Sequence, residues 1–232
     1  MSKSISLICG DSRQIYLANL FSDNGYKTYT YGLSSTLLSN NCKQCSTLKE
    51  AITSSTAIIF PFRIDCISLS ELEDIMPLLK SKTIFGGCIP NSLQDSFINN
   101  NIRFYDYFKV DYINKLNAIA TAEGSIYYAI GCSNINLHGS SSLVLGYGNC
   151  GSVLAHKLYG LGSKVTVVCR NPYAYACAIT NSLNYVHIDN LPNIIYDYSF
   201  IFNTIPSQLI NRQVLAKMNK DSIIIDIASI PL

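Results

Sequence analysis

One glycine-rich segment has the spacing of a dinucleotide-binding loop. Gly146, Gly148 and Gly151 follow the apolar run Ser142–Leu145 and open a helical pattern. In such a loop the first glycine allows a tight turn, the second lets the backbone approach a pyrophosphate, and the third lets helix and strand pack closely. The alternative is a glycine-rich turn without a ligand. We predict a dinucleotide contact for every residue of the loop, which reads Gly146, Tyr147, Gly148, Asn149, Cys150 and Gly151.

The end of the next strand indicates which dinucleotide binds. NAD sites place Asp or Glu about 20 residues after the first glycine, where the carboxylate binds the ribose 2′-hydroxyl. Here Arg170 lies 24 residues after Gly146 and is followed by Asn171. Because a guanidinium suits a 2′-phosphate, NADP is favoured over NAD as the cofactor. The alternative is a solvated arginine at a strand end.

Two later strands also end in polar residues, and ligands of open α/β sheets lie at the carboxyl ends of strands. Asp226 would supply a carboxylate there, although the role of a helix N-cap fits it equally well. The other strand end would place hydroxyl and amide groups beside the nicotinamide, with an Asn/Thr turn as the alternative. Its residues are Asn203, Thr204, Ile205 and Pro206.

Candidates for proton transfer stand in the middle of the chain. Thr121 and Glu123 interrupt an otherwise apolar stretch. Thr121 fits a helix N-cap, and Glu123 is either a first-turn acid favoured by the helix dipole or a carboxylate facing the substrate. His138 is a second candidate, although a lone histidine before a strand is more often structural. We predict catalytic roles for Glu123 and His138 and a substrate contact for Thr121.

The first predicted strand ends in another candidate binding loop. Gly10, Asp11, Ser12 and Arg13 lie between that strand and a helix, where backbone N–H groups can bind an anion. Arg13 adds a guanidinium that suits a carboxylate. Asp11 fits a helix N-cap equally well. We predict substrate contacts for Asp11 and Arg13.

Strand and helix patterns alternate along the chain, which is typical of α/β folds with parallel sheets. In the first part they predict strands Ser4–Cys9, Tyr26–Tyr31, Ala57–Pro61, Thr83–Phe85 and Ile102–Tyr105, with helices Arg13–Asn24, Leu69–Lys80 and Gln94–Asn100. In the second part they predict strands Leu143–Gly146, Lys164–Cys169, Tyr185–His187, Phe200–Asn203 and Ser222–Ile227, with helices Gly151–Gly160, Pro172–Asn181 and Ser207–Met218. Apolar residues at helical spacing over Asp111–Cys132 predict a helix between the two parts.

These elements predict an α/β fold of two Rossmann-like three-layer domains with parallel sheets, joined by a bridging helix. Residues 1–110 would form a flavodoxin- or Rossmann-like substrate domain, and residues 111–135 would contain the bridging helix. Residues 136–232 would form a C-terminally short Rossmann domain that binds NADP.

Composition excludes several classes of protein. The chain has 232 residues, of which 48% are hydrophobic and 14% are charged, and its formal net charge is +2. These values exclude intrinsic disorder and argue against nucleic acid or an anionic membrane surface as a partner. The sequence has neither a secretory signal nor an apolar run of about 18 residues, so a soluble cytoplasmic protein is expected.

The cysteines indicate a reduced protein rather than a metal site. Their number, nine, is odd, and most lie inside apolar runs, where cysteine behaves as a small hydrophobe. Cys42 and Cys45 form the one C-x-x-C pair in the sequence. A structural zinc site needs a second pair or two suitably spaced histidines. We therefore predict no metal.

Several segments together resemble the family of the dipicolinate synthase A subunit, a sporulation enzyme of endospore-forming bacteria. They occur in family order over nearly the whole chain: Gly10–Ala18, Gly86–Gly87, Tyr105–Tyr107, Asn117–Gly124, His138–Ser140, Val144–Gly148, Asn203–Pro206 and Ile225–Ser229. The resemblance implies two Rossmann-like domains, NADP binding and formation of dipicolinate from a dihydrodipicolinate-type precursor. It also implies joint action with a separate, flavoprotein-like B subunit.

The sequence departs from the family pattern at two places. It has Pro61-Phe62-Arg63 where the family usually has Pro-x-Pro. The family also continues past its Ala-Ser-x-Pro motif with a glycine pair and a helical segment, whereas this sequence stops at Leu232. We therefore expect a chain that lacks the C-terminal segment of the family: a natural truncation, a fragment or a binding-only relative.

The residues and the resemblance together predict an NADP-dependent oxidoreductase subunit that acts on a small cyclic dicarboxylate. The nicotinamide would take a hydride, Glu123 or His138 would take a proton, and Arg13 with the glycine-rich strand ends would hold the carboxylates. Two alternatives stay open. One is a non-catalytic NADP-binding or assembly partner of the B subunit. The other is an NADP oxidoreductase of another small acid, similar in layout to shikimate dehydrogenase. A homodimer is compatible with the sequence.

Overall fold

Two parallel sheets, one in each half of the chain, organise the fold. In the computed structural model, which describes residues 3–64 and 66–228, the chain divides into a first unit of residues 1–111 and a second unit of residues 112–232. Each sheet contains only parallel pairs among the described strands, and helices alternate with the strands. The predicted α/β class is confirmed. Among the described residues, no helix combines the length and the apolar character needed to cross a membrane.

The first unit is built on a six-stranded sheet. Its strands are β1 Ser4–Ile8, β2 Lys27–Tyr31, β3 Lys43–Gln44, β4 Ala57–Phe62, β5 Thr83–Gly87 and β6 Arg103–Asp106, in the order β3-β2-β1-β4-β5-β6. Its helices are α1 Ser12–Asp23, α2 Leu48–Thr53, α3 Leu69–Leu79 and α4 Asn91–Asn99. Because β1 pairs with β2 on one side and β4 on the other, the strand order reverses there. Such a switch point is the expected place for a ligand.

The second unit repeats this plan with five strands. The strands are β7 Ser141–Leu145, β8 Lys164–Cys169, β9 Asn184–His187, β10 Phe200–Asn203 and β11 Ile223–Asp226, in the order β11-β10-β7-β8-β9. The helices are α5 Asp111–Gly131, α6 Asn149–Gly160, α7 Pro172–Thr180, α8 Leu191–Ile194 and α9 Arg212–Leu215. The switch point of this sheet lies at the carboxyl end of β7, between β8 and β10.

Helices on both faces of each sheet explain why the strands are continuous apolar runs. In β7, Leu143, Val144 and Leu145 are all fully buried. Successive side chains of a strand point to opposite faces, and accordingly Val144 belongs to one apolar cluster of the second unit while Leu143 and Leu145 belong to another.

Two differences from the predicted helices concern Thr121 and the helix after β10. Thr121 is not an N-cap: it lies in the middle of α5 and donates its hydroxyl to the carbonyl of Asn117 at 3.4 Å. The apolar spacing simply continues through it from the start of the helix. The helix predicted over Ser207–Met218 shortens to α9, because Asn211 caps it with an extended backbone and accepts bonds from two N–H groups of its first turn.

Among the α-helices and strands, three short elements were not predicted, namely β3, α2 and α8. The start of α2 carries a recognisable signal, because the Thr47 side chain accepts a bond from the N–H of Glu50, as an N-cap threonine does. The helix α5 covers most of the predicted bridging region, while the domain limits at residues 110 and 135 stay predictions. Ser229, the last residue of the segments that resemble the family, lies outside the described residues.

Candidate functional site

The glycine loop joins β7 to α6 at the carboxyl end of the central strand of the second sheet. Gly146 has a φ of +95°, and a Cβ there would lie 2.5 Å from the hydroxyl oxygen of Thr204. A Cβ on Gly151 would lie 2.2 Å from the carbonyl oxygen of Gly146. Around Gly148, by contrast, nothing in the described part of the chain comes within 4 Å of a Cβ built on its backbone. The turn, the close packing and the open space are what a pyrophosphate-binding loop requires.

The turn after β10 holds this loop in place. Thr204 donates both its backbone N–H and its hydroxyl to the carbonyl of Leu145, at 3.0 Å and 2.8 Å. On the other side, the N–H of Gly146 donates to the carbonyl of Val168 at 2.8 Å. The loop is therefore fixed by both neighbouring strands before any ligand arrives.

A cavity of about 460 Å³ opens above the loop and collects most of the predicted cofactor residues. Ten of the predicted residues line it: Gly146, Tyr147, Gly148, Asn149, Cys150, Arg170, Asn171, Thr204, Ile205 and Pro206. Three further lining residues, Cys169, Ala174 and Ile188, were missed. Cys169 ends β8 and Ile188 follows β9, so the rule that ligands lie at carboxyl ends of strands could have found both.

Arg170 stands at the open side of this cavity, directly after β8. Its side chain is exposed, and it forms no ion pair within the described ranges. The neighbouring Asn171 caps α7 by accepting a bond from the N–H of Tyr173 at 2.8 Å. A charged guanidinium next to a helix N-terminus is an arrangement that suits a phosphate.

The thiols beside the loop are neutral groups at physiological pH. Burial raises the pKa of Cys150, an effect that the charge of Lys115 opposes. Burial also raises the pKa of Cys169, opposed by a hydrogen bond from the Asn171 backbone. Raised pKa values disfavour thiolates, so these cysteines supply packing rather than nucleophiles.

Asn203 and Asp226 bind each other instead of lining the cavity. The buried Asn203 donates its side-chain amide to Oδ1 of Asp226 at 3.1 Å and accepts a bond from the N–H of Ile205 at 3.2 Å. The same Asp226 oxygen accepts the N–H of Ala228 at 3.0 Å. The contacts predicted between these two residues and the cofactor therefore lack geometric support. The turn alternative fits Asn203, and within the described residues no helix follows Asp226 for it to cap.

Glu123 forms an exposed ion pair with Lys157, with 2.8 Å between Oε1 and Nζ, and its side chain is 62% exposed. Lys157 lies eight residues after Asn149, the first residue of α6, which is about 12 Å along the helix at about 1.5 Å per residue. The pair thus lies about two helical turns along α6 from the start of the helix. The catalytic role of Glu123 stays a prediction, and the geometry favours a structural role.

His138 lies at the opposite edge of the second sheet from the glycine loop. It precedes the amino end of β7 and packs on the turn before β8, since a Cβ on Gly162 would lie 2.3 Å from its Nδ1. Because ligands bind at the carboxyl ends of the strands, this placement does not support the predicted catalytic role of His138.

A second cleft, of about 600 Å³, lies on the other side of the glycine loop between α6 and α7. It is lined by three basic side chains, those of Lys115, His156 and Lys157. Lys115 donates to the hydroxyl of Ser152 at 2.5 Å, which brings α5 to the first turns of α6. Lys115 was not among the predicted site residues, because a lysine in an amphipathic helix carries no signal of its own.

In the first domain, Asp11 and Arg13 both lie at the switch point after β1. Asp11 is the N-cap of α1 and accepts the backbone N–H of Arg13 at 2.9 Å. The two side chains also form an ion pair, with 2.7 Å between Nη2 and Oδ2, and this pairing lowers the pKa of Asp11. The cap alternative for Asp11 is thus observed, while the predicted contacts of both residues with a substrate stay predictions.

Comparison with known protein families gives a separate match for each domain. Residues 4–108 match the family model of the N-terminal domain of the dipicolinate synthase A subunit. Residues 121–229 match the model of the NAD-binding domain of D-isomer specific 2-hydroxyacid dehydrogenases. The second domain is therefore of the dehydrogenase type, and a nicotinamide dinucleotide is the indicated cofactor.

A curated protein and two solved structures that this chain resembles are dipicolinate synthase A subunits. The dipicolinate synthase A subunit of Bacillus subtilis (strain 168) is 33% identical over 148 residues, which is 64% of this chain and 50% of that protein. This match thus spans half the length of the curated relative. The crystal structure of the dipicolinate synthase A subunit from Bacillus halodurans has 25% identity and a TM-score of 0.85, covering 98% of this chain and 82% of the other. The crystal structure of the dipicolinate synthase A subunit from B. subtilis has 26% identity and a TM-score of 0.83, and the match covers 100% of this chain and 82% of the other.

Proposed function

We propose, from the premise that this chain is similar to the A subunit of dipicolinate synthase over both of its domains, that it takes part in the NADP-dependent oxidation of a dihydrodipicolinate-type precursor to dipicolinate. A B subunit is its proposed partner. The observation that carries the proposal is the preformed cavity over the glycine loop, with open space at Gly148 and the guanidinium of Arg170, which no described carboxylate neutralises. The partner and the precise substrate rest on the resemblance alone.

The residues of the cavity suit the parts of NADP. The N–H groups at the start of α6 would bind the pyrophosphate above Gly148, as in other loops of this spacing. Arg170 would pair with the 2′-phosphate, and the apolar side chains of Ala174 and Ile188 would contact the adenine. Thr204 would act indirectly, by keeping the loop in the binding conformation through its bonds to Leu145.

The proposed reaction is the aromatisation of a dihydropyridine ring, in which the ring loses two electrons and one proton as a hydride and a second proton to a base. The nicotinamide, when bound, supplies the acceptor for the hydride. The protein would hold the carboxylates of the substrate through cationic side chains. Glu123 and His138 are the predicted proton acceptors, and since the geometry does not support either of them, mutation is the test of both.

Two measurements test the proposal. Calorimetric titration of the chain with NADP should give saturable binding, and the chain mixed with a B subunit should form dipicolinate from the precursor. Binding without product would favour the non-catalytic NADP-binding alternative. Product from another small acid, but not from the dipicolinate precursor, would favour the alternative that is similar to shikimate dehydrogenase.

The choice of NADP over NAD depends on Arg170. Replacing it with alanine removes a charged hydrogen bond, so Arg170→Ala should weaken NADP binding by about 1.5–3 kcal/mol and leave NAD nearly unchanged. Titration with both dinucleotides measures the difference. Arg212→Ala, which removes an exposed arginine from α9 of the same domain, is the control and should alter neither affinity. Tighter binding of NAD than NADP by the wild type would contradict the assignment.

Because Glu123 forms an exposed ion pair, we expect its mutation to lower stability slightly and to leave turnover unchanged. Glu123→Gln removes an exposed pair worth about 0.2–1 kcal/mol, so the melting temperature should fall slightly and turnover with the B subunit should stay near the wild-type level. Loss of a general base would instead slow the reaction by about 10²–10⁴-fold. Melting and dipicolinate formation are measured on the same variant, with Glu73→Gln on α3 as the control. A rate loss of that size would make Glu123 the base.

A further inference from the structure

Three adjacent strands of the first sheet end in the same unusual way. The residues directly after β1, β4 and β5 are Cys9, Arg63 and Cys88, and their φ values are +52°, +71° and +49°. These strands are neighbours, in the order β1-β4-β5, at the switch point of the sheet. Left-handed backbone is costly for residues other than glycine, and such residues cluster at functional sites. This edge of the first sheet is therefore a candidate functional site.

Arg63 brings an unneutralised charge to this edge. Its N–H donates to the carbonyl of Gly87 at 3.3 Å, which ties the end of β4 to the end of β5. Its side chain is exposed and forms no ion pair with any described residue. The guanidinium lies close enough to the Cys88 thiol to act on its pKa, which burial and Asp106 raise and Arg63 lowers.

Arg13 presents a second guanidinium in a fixed orientation. Asp11 takes one edge of it, with Nε at 3.0 Å and 3.1 Å from the two carboxylate oxygens and Nη2 at 2.7 Å from Oδ2. A guanidinium has five N–H groups in a planar fork, so the edge formed by Nη1 and Nη2 still has donors for a second carboxylate. Asp11 thus acts as a positioning residue for Arg13.

Aromatic rings lie next to Arg13. Cζ of Arg13 lies 5.9 Å from the centroid of the Phe62 ring, and that ring packs on Phe108 with 4.4 Å between centroids. Tyr107 packs on Phe108 in turn, at 5.7 Å. The Tyr107 ring also covers Gly87, where a Cβ would lie 2.7 Å from it. These rings, tilted by 44° and 48° against one another, offer apolar surface that a ligand ring can contact.

A second acidic residue at this edge, Asp106, accepts hydrogen bonds from backbone groups. The Asp106 carboxylate accepts N–H groups from Cys88 at 3.2 Å, Ile89 at 3.0 Å and Phe108 at 2.9 Å. It thereby fixes the loops that follow β5 and β6. Asp11 pairs with Arg13 and backbone N–H groups bind Asp106, so Arg63 is the cation at this edge without a described carboxylate partner.

We infer that the carboxyl edge of the first sheet binds a small planar dicarboxylate, with one carboxylate on Arg13, the other on Arg63 and the ring against Phe62 and Tyr107. Naming a dicarboxylate rests on the proposed function, whereas the paired arginines and the aromatic face are features of this domain alone. Arg63 is then the residue that distinguishes a dicarboxylate from a monocarboxylate.

Titration calorimetry of the whole chain tests this site, with and without saturating NADP. The probes are dipicolinate and picolinate, which share the ring and differ by one carboxylate. We expect the wild type to prefer dipicolinate by at least about tenfold, the scale of one charge-assisted contact. Arg63→Gln should remove this preference and leave picolinate binding unchanged. Arg103→Gln, an exposed arginine at the amino end of β6, should change neither.

The outcomes separate this site from the proposed function. Dipicolinate that fails to bind the wild type in both conditions, or binds Arg63→Gln with the same preference, overturns the inference even when NADP binding and turnover are normal. A preference that depends on Arg63 in a chain that binds no NADP supports the site and removes the proposed function. NADP affinity and melting temperature of Arg63→Gln, both expected to match the wild type, show that the variant is folded.

Discussion

Gly148→Val is expected to abolish dinucleotide binding while the protein stays folded. The φ of Gly148 is −81°, which valine can adopt, and the Cβ would enter open space. Gly148 is the N-cap of α6 without a side-chain bond to lose, so stability should change by less than about 1 kcal/mol. The valine side chain would nevertheless occupy the space in which backbone and pyrophosphate meet. We expect the affinity for NADP to fall by at least about 100-fold, or about 2.7 kcal/mol.

The matched control for this variant is the same substitution at the other end of the same helix. Gly160 ends α6, and nothing in the described chain lies within 4 Å of a Cβ there. Gly160→Val should therefore bind NADP like the wild type. Calorimetry gives the affinities and circular dichroism the folded state. Unchanged affinity in a folded Gly148→Val would remove the dinucleotide assignment of the loop.

Gly151→Ala is expected to damage the fold itself. The added Cβ would lie 2.2 Å from the carbonyl oxygen and 2.8 Å from the carbonyl carbon of Gly146. Both atoms belong to the backbone, so no side-chain rotation relieves the contact, and α6 has to move away from β7. Overpacking of this kind costs about 1–3 kcal/mol or more. At about 2–4 °C per kcal/mol for a chain of this size, the melting temperature should fall by several degrees.

Gly124→Ala provides a control with the opposite expected sign. Gly124 lies inside α5, where nothing described comes within 4 Å of an added Cβ. Alanine there should stabilise the helix by up to about 1 kcal/mol, because glycine is the poorer helix former. Thermal unfolding of both variants is the measurement. Equal melting temperatures for Gly151→Ala and the wild type would show that the loop does not pack as described.

Much of the fold could be predicted because its signals are local. The strands β8 and β10 have the predicted limits, since short apolar runs bounded by polar residues are enough to define buried parallel strands. The limits of α5 were predicted to within one residue, whereas the helix predicted over Ser207–Met218 was too long. Thr121 has the chemistry of a cap but lies inside α5, because the apolar spacing on both sides of it stabilises a longer helix.

In the candidate site, too, features set by residues close together in sequence were predictable and those set by distant residues were not. The glycine loop was predictable, because three glycines at fixed spacing specify a turn, an approach and a packing contact within six residues. Arg170 was predictable from its distance along the chain. The roles given to Glu123 and Asp226 were not, because their partners, Lys157 and Asn203, lie 34 and 23 residues away in sequence. Only folding brings such pairs together.

The sequence by itself therefore determined the class of fold, the dinucleotide loop and the charge beside it, all of which depend on residues close together in the chain. The tertiary structure decided which polar groups remain available to a ligand. It put His138 at the far edge of the second sheet and satisfied Asp226 with Asn203. It also gathered Arg13 and Arg63 at one edge of the first sheet, 50 residues apart in sequence. The physical reason is that parallel strands bring their carboxyl ends to a common edge whatever the length of chain between them.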